Sequence, residues 1–259
     1  MKLLASDYDG TLKFGETLDE SDLSAIRRWK EEGNLFAIVT GRSKNSIFNE
    51  AAAHDIPVDY FVTNNGGMIF DSNGNRLMTS QLDTLCAVDL MFVAHETPDV
   101  VSYMVNNGFE RHKIEVHPHL EDHRYPHINP DWTEEQIMDS GQLGQIVFSM
   151  RDPQAAIEFA DSINQYFGHQ VTAYANNYCV DVCPYGVSKA TGLEFVTEFA
   201  NVPEMDVYCM GDSYNDVPML AGCFNSAASA LAPAEVQENG RWVYPTLGDF
   251  ITAIESESI

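Results

Sequence analysis

Three apolar runs that each break off into a polar cluster constrain this chain most. LLA at 3–5 leads into Ser6-Asp7-Tyr8-Asp9-Gly10-Thr11, LFAIV at 35–39 into Thr40-Gly41-Arg42, and MDVYCM at 205–210 into Gly211-Asp212-Ser213-Tyr214-Asn215-Asp216. LFAIV has no alternating polar face, so it suits a strand buried on both sides. Leu23, Ile26 and Trp29 recur at helical spacing and predict a helix over 20–32, stopped by Gly33. A second helix is expected over 44–53, and YFVT at 60–63 reads as another strand. This β-α-β-α-β order predicts a parallel sheet with crossover helices, an α/β doubly wound core. In such sheets ligands bind beyond the carboxyl ends of the strands, so the three clusters should converge despite their separation in sequence.

The pattern changes after residue 67. MIFDSNGNRLM carries Asn73-Gly74 between two short apolar runs, the signature of a hairpin. Beyond it come a helix (83–96), a strand (99–105), an irregular polar stretch (106–132), a strand (144–150), a helix (153–167) and two strands (170–175 and 178–183). Helices mixed with hairpin-like strands predict an inserted α+β domain on an antiparallel sheet. After Pro184-Tyr185-Gly186 the first pattern resumes, with helices expected over 188–200 and 248–255. The expected division is a discontinuous core of residues 1–81 and 185–259 and a cap of residues 82–184.

Fourteen Lys and Arg stand against 39 Asp and Glu, a formal net charge of -25 over 259 residues. Such a surface repels nucleic acid and anionic lipid, so neither is an expected partner. An anionic substrate would need local positive help. Hydrophobic residues make up 44% of the chain, enough for a packed core and too many for a disordered chain. The five cysteines, Cys86, Cys179, Cys183, Cys209 and Cys223, are odd in number, sit in apolar stretches and form no CxxC. They point to thiols in a reducing cytoplasm. Only three apolar residues follow Met1-Lys2 before Ser6, too few for a signal-peptide core, and no long uncharged apolar run follows.

Asp is poor in strands and costly to bury without compensation. Asp7, Asp9 and Asp212 offer oxygen donors, while His and Cys are absent from all three clusters. Hard oxygen donors suit Mg²⁺. Lys189, Thr40 and the backbone N–H groups following Asp7 and Thr40 suit a phosphate. Together, metal and lysine would offset the repulsion between a dianionic phosphate and a carboxylate. The plainer reading of Asp7 and Asp9 is an Asx-type turn, and that of Thr40-Gly41 is a helix cap.

DYDGT resembles the DxDGT first motif of the haloacid dehalogenase-like superfamily. VTGR resembles its second motif, SKATGL its third and GDSYNDVPML its fourth, all in the right order. The insertion between motifs two and three resembles the α/β (type C2) cap of the Cof-like sugar phosphatases, and TNNGG at 63–67 resembles the turn preceding that cap. The resemblance implies a Rossmann-like core and a Mg²⁺-dependent phosphatase acting on a small phosphorylated metabolite, a sugar phosphate first. Asp7 would be the nucleophile, and Asp9 the acid that protonates the leaving alkoxide and then the base for water. Lys189 would neutralise charge. Thr40 and the Gly41 N–H would hold phosphate oxygens, while Arg42 and Asn65 would face the substrate. Asp7, the Asp9 carbonyl and Asp212 would hold Mg²⁺, with Asn215 and Asp216 orienting that shell and Lys189, or joining the shell. The family often continues past motif four with a different turn from the GCFNSAASALAPAEVQ present here, which places any substrate contacts of that loop in doubt.

Two rivals stay open. One is a phosphotransferase or mutase using the same aspartyl phosphate. The other is a non-catalytic aspartyl-phosphate sensor resembling a receiver domain, against which the DxD spacing and the inserted cap speak. The segment 111–127 holds His112, His117, His119, His123 and His127, and reads as a polar, partly exposed cap loop ahead of a transition-metal site. Tyr103, Phe109 and Tyr125 are aromatic candidates for stacking on a sugar, although nothing in the sequence selects them. Cys179 and Cys183 share one face of an expected strand and read as packed thiols.

Overall fold

The computed structural model describes residues 1–259 apart from Glu16 and Ser258. The chain opens with β1 (Leu3–Ser6), β2 (Lys13–Phe14), β3 (Thr17–Leu18), α1 (Glu20–Glu31), β4 (Leu35–Val39), α2 (Lys44–Ala53), β5 (Tyr60–Thr63), β6 (Met68–Asp71) and β7 (Arg76–Thr79). There follow α3 (Thr84–Glu96), β8 (Val100–Asn106), β9 (Arg111–Glu115), α4 (Glu134–Ser140), β10 (Gln145–Met150), α5 (Pro153–Phe167), β11 (Val171–Asn176) and β12 (Cys179–Pro184). The last stretch holds α6 (Lys189–Phe199), β13 (Val207–Gly211), α7 (Val217–Gly222), β14 (Asn225–Ser229), α8 (Ala234–Gln237), β15 (Trp242–Tyr244) and α9 (Leu247–Glu255). Contacts gather the chain into two compact units. One comprises Met1–Thr40, Ile47–Met78 and Ser188–Ile259; the other comprises Gly41–Ser46 and Thr79–Val187.

The sheet of the first unit runs β15-β14-β13-β1-β4-β5-β6-β7. Its strands from β15 to β5 are parallel and β6 turns back antiparallel, so the core is the expected doubly wound α/β sheet with a hairpin at one edge. Leu3 and Ala5 of β1 join Ala37, Val39, Val62 and Cys209 on one face, under Leu193 and Val196 of α6 and Met219 and Leu220 of α7. The other face carries Tyr208, which meets Trp29 of α1 and Phe250 of α9 edge-on. Local signals fix the helix starts. Asp19 accepts the Ser21 N–H at the head of α1, and Ser188 and Thr191 form a capping box that makes Lys189 the first residue of α6.

In the second unit the sheet is antiparallel, in the order β11-β12-β10-β8-β9. Helices α3 and α5 supply Leu90, Met91, Phe159 and Ile163 to a core with Tyr103, Phe148 and Val180. Two elements lie inside or beside the stretch expected to be irregular. β9 buries His112, Lys113 and Ile114 in a row between the exposed Arg111 and Glu115. Two of the three buried residues are polar, so no apolar pattern marks the strand. α4 starts at a Thr133–Gln136 capping box, a four-residue signal that the sequence reading passed over. His112 is therefore a strand residue. Its ring stacks on Trp132 at 3.5 Å between centroids, and its Nδ1 pairs with Asp131 at 2.8 Å. Among the described residues no group of three metal-ligating side chains forms in this unit. Tyr103 is fully buried and hydrogen-bonds Glu134, so it is a core residue and takes no part in stacking on a ligand.

The following loop is fastened to this sheet by Asp122. Its carboxylate accepts from Ser102 Oγ (2.7 Å), Ser149 Oγ (2.7 Å) and the Tyr125 N–H (2.8 Å), and pairs with Lys113 Nζ at 2.7 Å. No helix among the described residues is long and apolar enough to cross a membrane.

Candidate active site

The strand ends β13, β1, β4 and β5 are neighbours in the core sheet, and each hands its next residue to the same edge. Pairing continues one step past β1, where the Asp7 N–H donates to the Met210 carbonyl at 2.9 Å. Past β4, the Thr40 N–H donates to Val62 and the Thr40 carbonyl accepts from Asn65 at 3.0 Å. The turn after β5 passes Asn64 and Asn65 at positive φ, then Gly66 at φ +102°. A Cβ on Gly66 would lie 2.1 Å from the Ser188 carbonyl. The absent side chain thus lets this turn close on the residue preceding Lys189.

Lys189 is the centre of the site and is 1% exposed. Its Nζ donates to Asp7 Oδ1 and to Asp216 Oδ1, each at 2.6 Å. Asp216 Oδ2 accepts the N–H groups of Asp212 (3.0 Å) and Ser213 (2.9 Å). Both oxygens of Asp216 are therefore committed to holding Lys189 and the turn that carries Asp212. Asp212 Oδ1 accepts from Thr11 Oγ1 at 2.8 Å. A Cβ on Gly10, at φ +96°, would lie 2.3 Å from Asp212 Oδ2. The glycine of DYDGT is thus needed because the Asp212 carboxylate occupies the space beside it.

Oxygens of Asp7, Asp212 and Asp216 all lie within 4.8 Å of one another. Asp7 and Asp212 are thus two carboxylates of one cluster. Two carboxylates so placed need a proton or a cation between them. Burial raises the Asp7 pKa well above the usual range; Lys189 pulls it down, while Asp216 and Asp212 push it further up. Burial, then repulsion from Asp216, pushes Asp212 up to about 6, against the pull of Thr11 and Lys189. Burial works against the Lys189 charge, but Asp216 and Asp7 outweigh it and hold its pKa above the ordinary value. One ammonium facing two buried carboxylates and a half-buried one leaves an excess of negative charge. The donor set is all oxygen, so it fits a hard divalent cation such as Mg²⁺.

Asn215 and Asn65 meet beside this cluster, with Asn215 Nδ2 donating to Asn65 Oδ1 at 3.1 Å. Asn215 Oδ1 and Asn65 Nδ2 are buried and make no hydrogen bond, so each offers a bonding position to a bound group. Thr40 is buried at 1% exposure. Asp9 is exposed and its side chain lies outside the carboxylate cluster. Gly41 and Arg42 belong to the second unit, where the Arg42 guanidinium donates to Ser46 Oγ at 3.4 Å.

Sequence reasoning missed two supports. Thr11 sits inside DYDGT, yet its hydroxyl was assigned no partner. Glu50 on α2 accepts from Tyr8 Oη at 2.7 Å and Lys13 Nζ at 2.9 Å on the same oxygen, tying both ends of the turn that carries Asp9. A glutamate in a helix with little amphipathic pattern gives no sequence signal for such a contact.

The profile of the haloacid dehalogenase-like hydrolases matches residues 4–249. The 5-amino-6-(5-phospho-D-ribitylamino)uracil phosphatase YitU of Bacillus subtilis (strain 168) is 28% identical over 240 residues, covering 85% of this chain and 84% of that protein. The HMP-PP phosphatase of Citrobacter koseri is 24% identical over 222 residues, covering 85% and 80%. Among solved structures, BT1666 of Bacteroides thetaiotaomicron, from a study of phosphatases of this superfamily, has a TM-score of 0.83 at 22% identity, covering 100% of this chain and 96% of that one. A subclass IIB sugar phosphatase has a TM-score of 0.80 at 20% identity, with both chains covered completely. The four motifs in order, the buried carboxylates around Lys189 and the profile match agree: the chain belongs to the haloacid dehalogenase-like hydrolases and is an enzyme of phosphatase type.

Proposed function

We propose that this protein is a Mg²⁺-dependent phosphomonoesterase that hydrolyses a small phosphorylated metabolite, such as a sugar phosphate, through an aspartyl phosphate on Asp7. The observation that carries this reading is the Lys189 ammonium, clamped between Asp7 and Asp216, with an Asp212 oxygen within 4.8 Å of an oxygen of each. Asp7 Oδ1 is tied to Lys189, which leaves the other oxygen to attack phosphorus. Asp9, exposed on the turn two residues on, gives its proton to the leaving alkoxide as the phosphorus–oxygen bond breaks. It then takes a proton from the water that attacks phosphorus and frees Asp7. Lys189 pulls the Asp7 pKa down against burial, favouring the carboxylate, and Asp216 holds Lys189 in place.

Asp7, Asp212 and the Asp9 carbonyl would hold Mg²⁺, with Asn215 beside them. Bound there, the ion supplies the positive charge that lets a phosphate dianion approach the carboxylates. Thr40 and the Gly41 N–H would take phosphate oxygens, and Arg42 and Asn65 the substrate. The buried, unbonded Asn65 Nδ2 supports that role. The division into a core of residues 1–81 and 185–259 and a cap of residues 82–184 belongs to the same reading. A cytoplasmic setting is supported by cysteines that form no disulfide among the described residues. The names of the curated relatives favour small metabolites, one carrying a phosphoribityl group.

The test is phosphate release from a panel of phosphorylated metabolites with and without Mg²⁺, for the wild type and Asp9→Asn. Mg²⁺-dependent release from at least one metabolite, lost by about a hundredfold or more in Asp9→Asn, is expected. An isomeric phosphate ester without inorganic phosphate would favour a mutase. Stoichiometric phosphorylation without turnover would favour a sensor.

A further inference from the structure

Cys209 and Cys223 lie on the side of the core sheet covered by α6 and α7, and the reaction at Asp7 uses neither. Cys209 is fully buried on β13. Cys223 is half-buried between α7 and β14, flanked by the exposed Gly222 and Phe224. The two are laced to the same backbone. The Met219 carbonyl accepts both the Cys223 N–H (3.1 Å) and the Cys209 thiol (3.6 Å). The Cys223 thiol donates in turn to the Val207 carbonyl at 3.5 Å, two residues before Cys209. One carbonyl oxygen thus lies against both the Cys209 sulfur and the Cys223 backbone.

We propose that Cys223 and Cys209 are a redox pair that a peroxide converts to an intramolecular disulfide. Their environments divide the work. Cys223 lines a cavity of about 370 Å³ on the surface of this unit, bordered by Met205, Met219 and Phe224, so a small oxidant reaches it. The neighbouring Cys209, with help from the Asn225 N–H, pulls the Cys223 thiol below its ordinary pKa against the effect of burial. Burial, more than the contact with Cys223, pushes Cys209 up, so it stays a thiol. The partly exposed residue is thus the one favoured as thiolate, and it sits outside regular structure, where it can close the remaining distance. Cys179 and Cys183 offer a contrast. They lie four residues apart on one strand, about 13 Å along an extended chain, too far to join.

The chemistry balances with one peroxide. The Cys223 thiolate attacks a peroxide oxygen, the O–O bond breaks, and the departing hydroxide takes up a proton as water. Cys223, oxidised by two electrons, is left as a sulfenic acid. The Cys209 sulfur then attacks the Cys223 sulfur. The S–O bond breaks, and hydroxide leaves with the Cys209 proton as a second water. Two thiols and one peroxide become one disulfide and two waters. The bridge would close a loop of chain that contains Asp212, Asn215 and Asp216, fastening the end of α7 to the strand that delivers Asp212.

The experiment treats the full-length protein with hydrogen peroxide, alkylates remaining thiols, and maps the digest by mass spectrometry. The expected product is one cross-linked peptide pair joining Cys209 to Cys223, reversed by dithiothreitol, with two of the five alkylatable cysteines lost. Cys223→Ser should abolish the cross-link and leave Cys209 alkylatable. Cys209→Ser should leave a sulfenic acid on Cys223 that dimedone captures. The proposal is overturned if wild-type Cys223 goes to sulfinic or sulfonic acid while Cys209 remains alkylatable, or if both stay alkylatable after Cys86 has been oxidised. The wild-type map decides the matter even if a variant fails to fold.

Discussion

Lys189 Nζ lies 2.6 Å from Asp7 Oδ1 although 182 positions separate the two residues in sequence. The pair is buried, and Asp216 accepts from the same ammonium at the same distance. Removing the ammonium would leave buried carboxylates facing one another. Breaking a buried pair from one side typically costs about 3–5 kcal/mol. Lys189→Met should therefore lower stability in urea unfolding, and it should reduce phosphate release by at least about a hundredfold, as loss of a charge-stabilising donor does.

Gly10→Ala tests the fit between the first and fourth motifs. The new Cβ would fall 2.3 Å from Asp212 Oδ2 at a backbone φ of +96°. Displacing that carboxylate should weaken Mg²⁺ binding by at least about tenfold in calorimetry, since the affinity of a hard cation depends on ligand placement. An unchanged affinity would show that Asp212 is not a ligand.

Glu50→Ala removes the acceptor shared by Tyr8 and Lys13, both of them buried. Loss of such a contact costs about 1–3 kcal/mol. Because these bonds brace the turn that carries Asp9, turnover should fall while KM changes little. Glu50→Gln, which keeps an acceptor oxygen, should recover part of the loss in steady-state kinetics.

Asp122 gives a pH signature in the second unit. Burial raises its pKa, but Lys113, Ser102, the Tyr125 N–H and Ser149 outweigh that and hold it at about 2. A carboxylate whose folded pKa lies below its unfolded value stabilises the protein above the unfolded pKa. That stabilisation is lost as pH falls from about 4 to about 2 and amounts to about 2 kcal/mol. The stability gap between wild type and Asp122→Asn should shrink by that amount from pH 5 to pH 2 in urea unfolding.

The legible parts of this protein were those with strong local patterns. LFAIV is β4 over the expected residues, and the helices expected over 44–53 and 153–167 fall at Lys44–Ala53 and Pro153–Phe167. The meeting of Asp7, Lys189 and Asp212 followed from parallel strands sharing one edge. β9 was not legible because His112 and Lys113 are polar residues buried by partners distant in sequence, Asp131 and Asp122. Glu50 was hidden for a similar reason, since its contacts depend on the rotation of α2 against the turn after β1. Asp216 was expected to orient Lys189 and the metal shell or to join that shell, and the sequence did not choose between them. Only the hydrogen bonds to Lys189, Asp212 and Ser213 show that both its oxygens are occupied.

The central claim is that Asp7 carries the phosphoryl group. The direct measurement is rapid acid quench of the Mg²⁺-loaded enzyme with a ³²P-labelled substrate from the metabolite panel, followed by peptide mapping. A base-labile, hydroxylamine-sensitive label on Asp7, absent from Asp7→Asn, is the predicted result. Full Mg²⁺-dependent turnover by Asp7→Asn, or a label on any other residue, would contradict it.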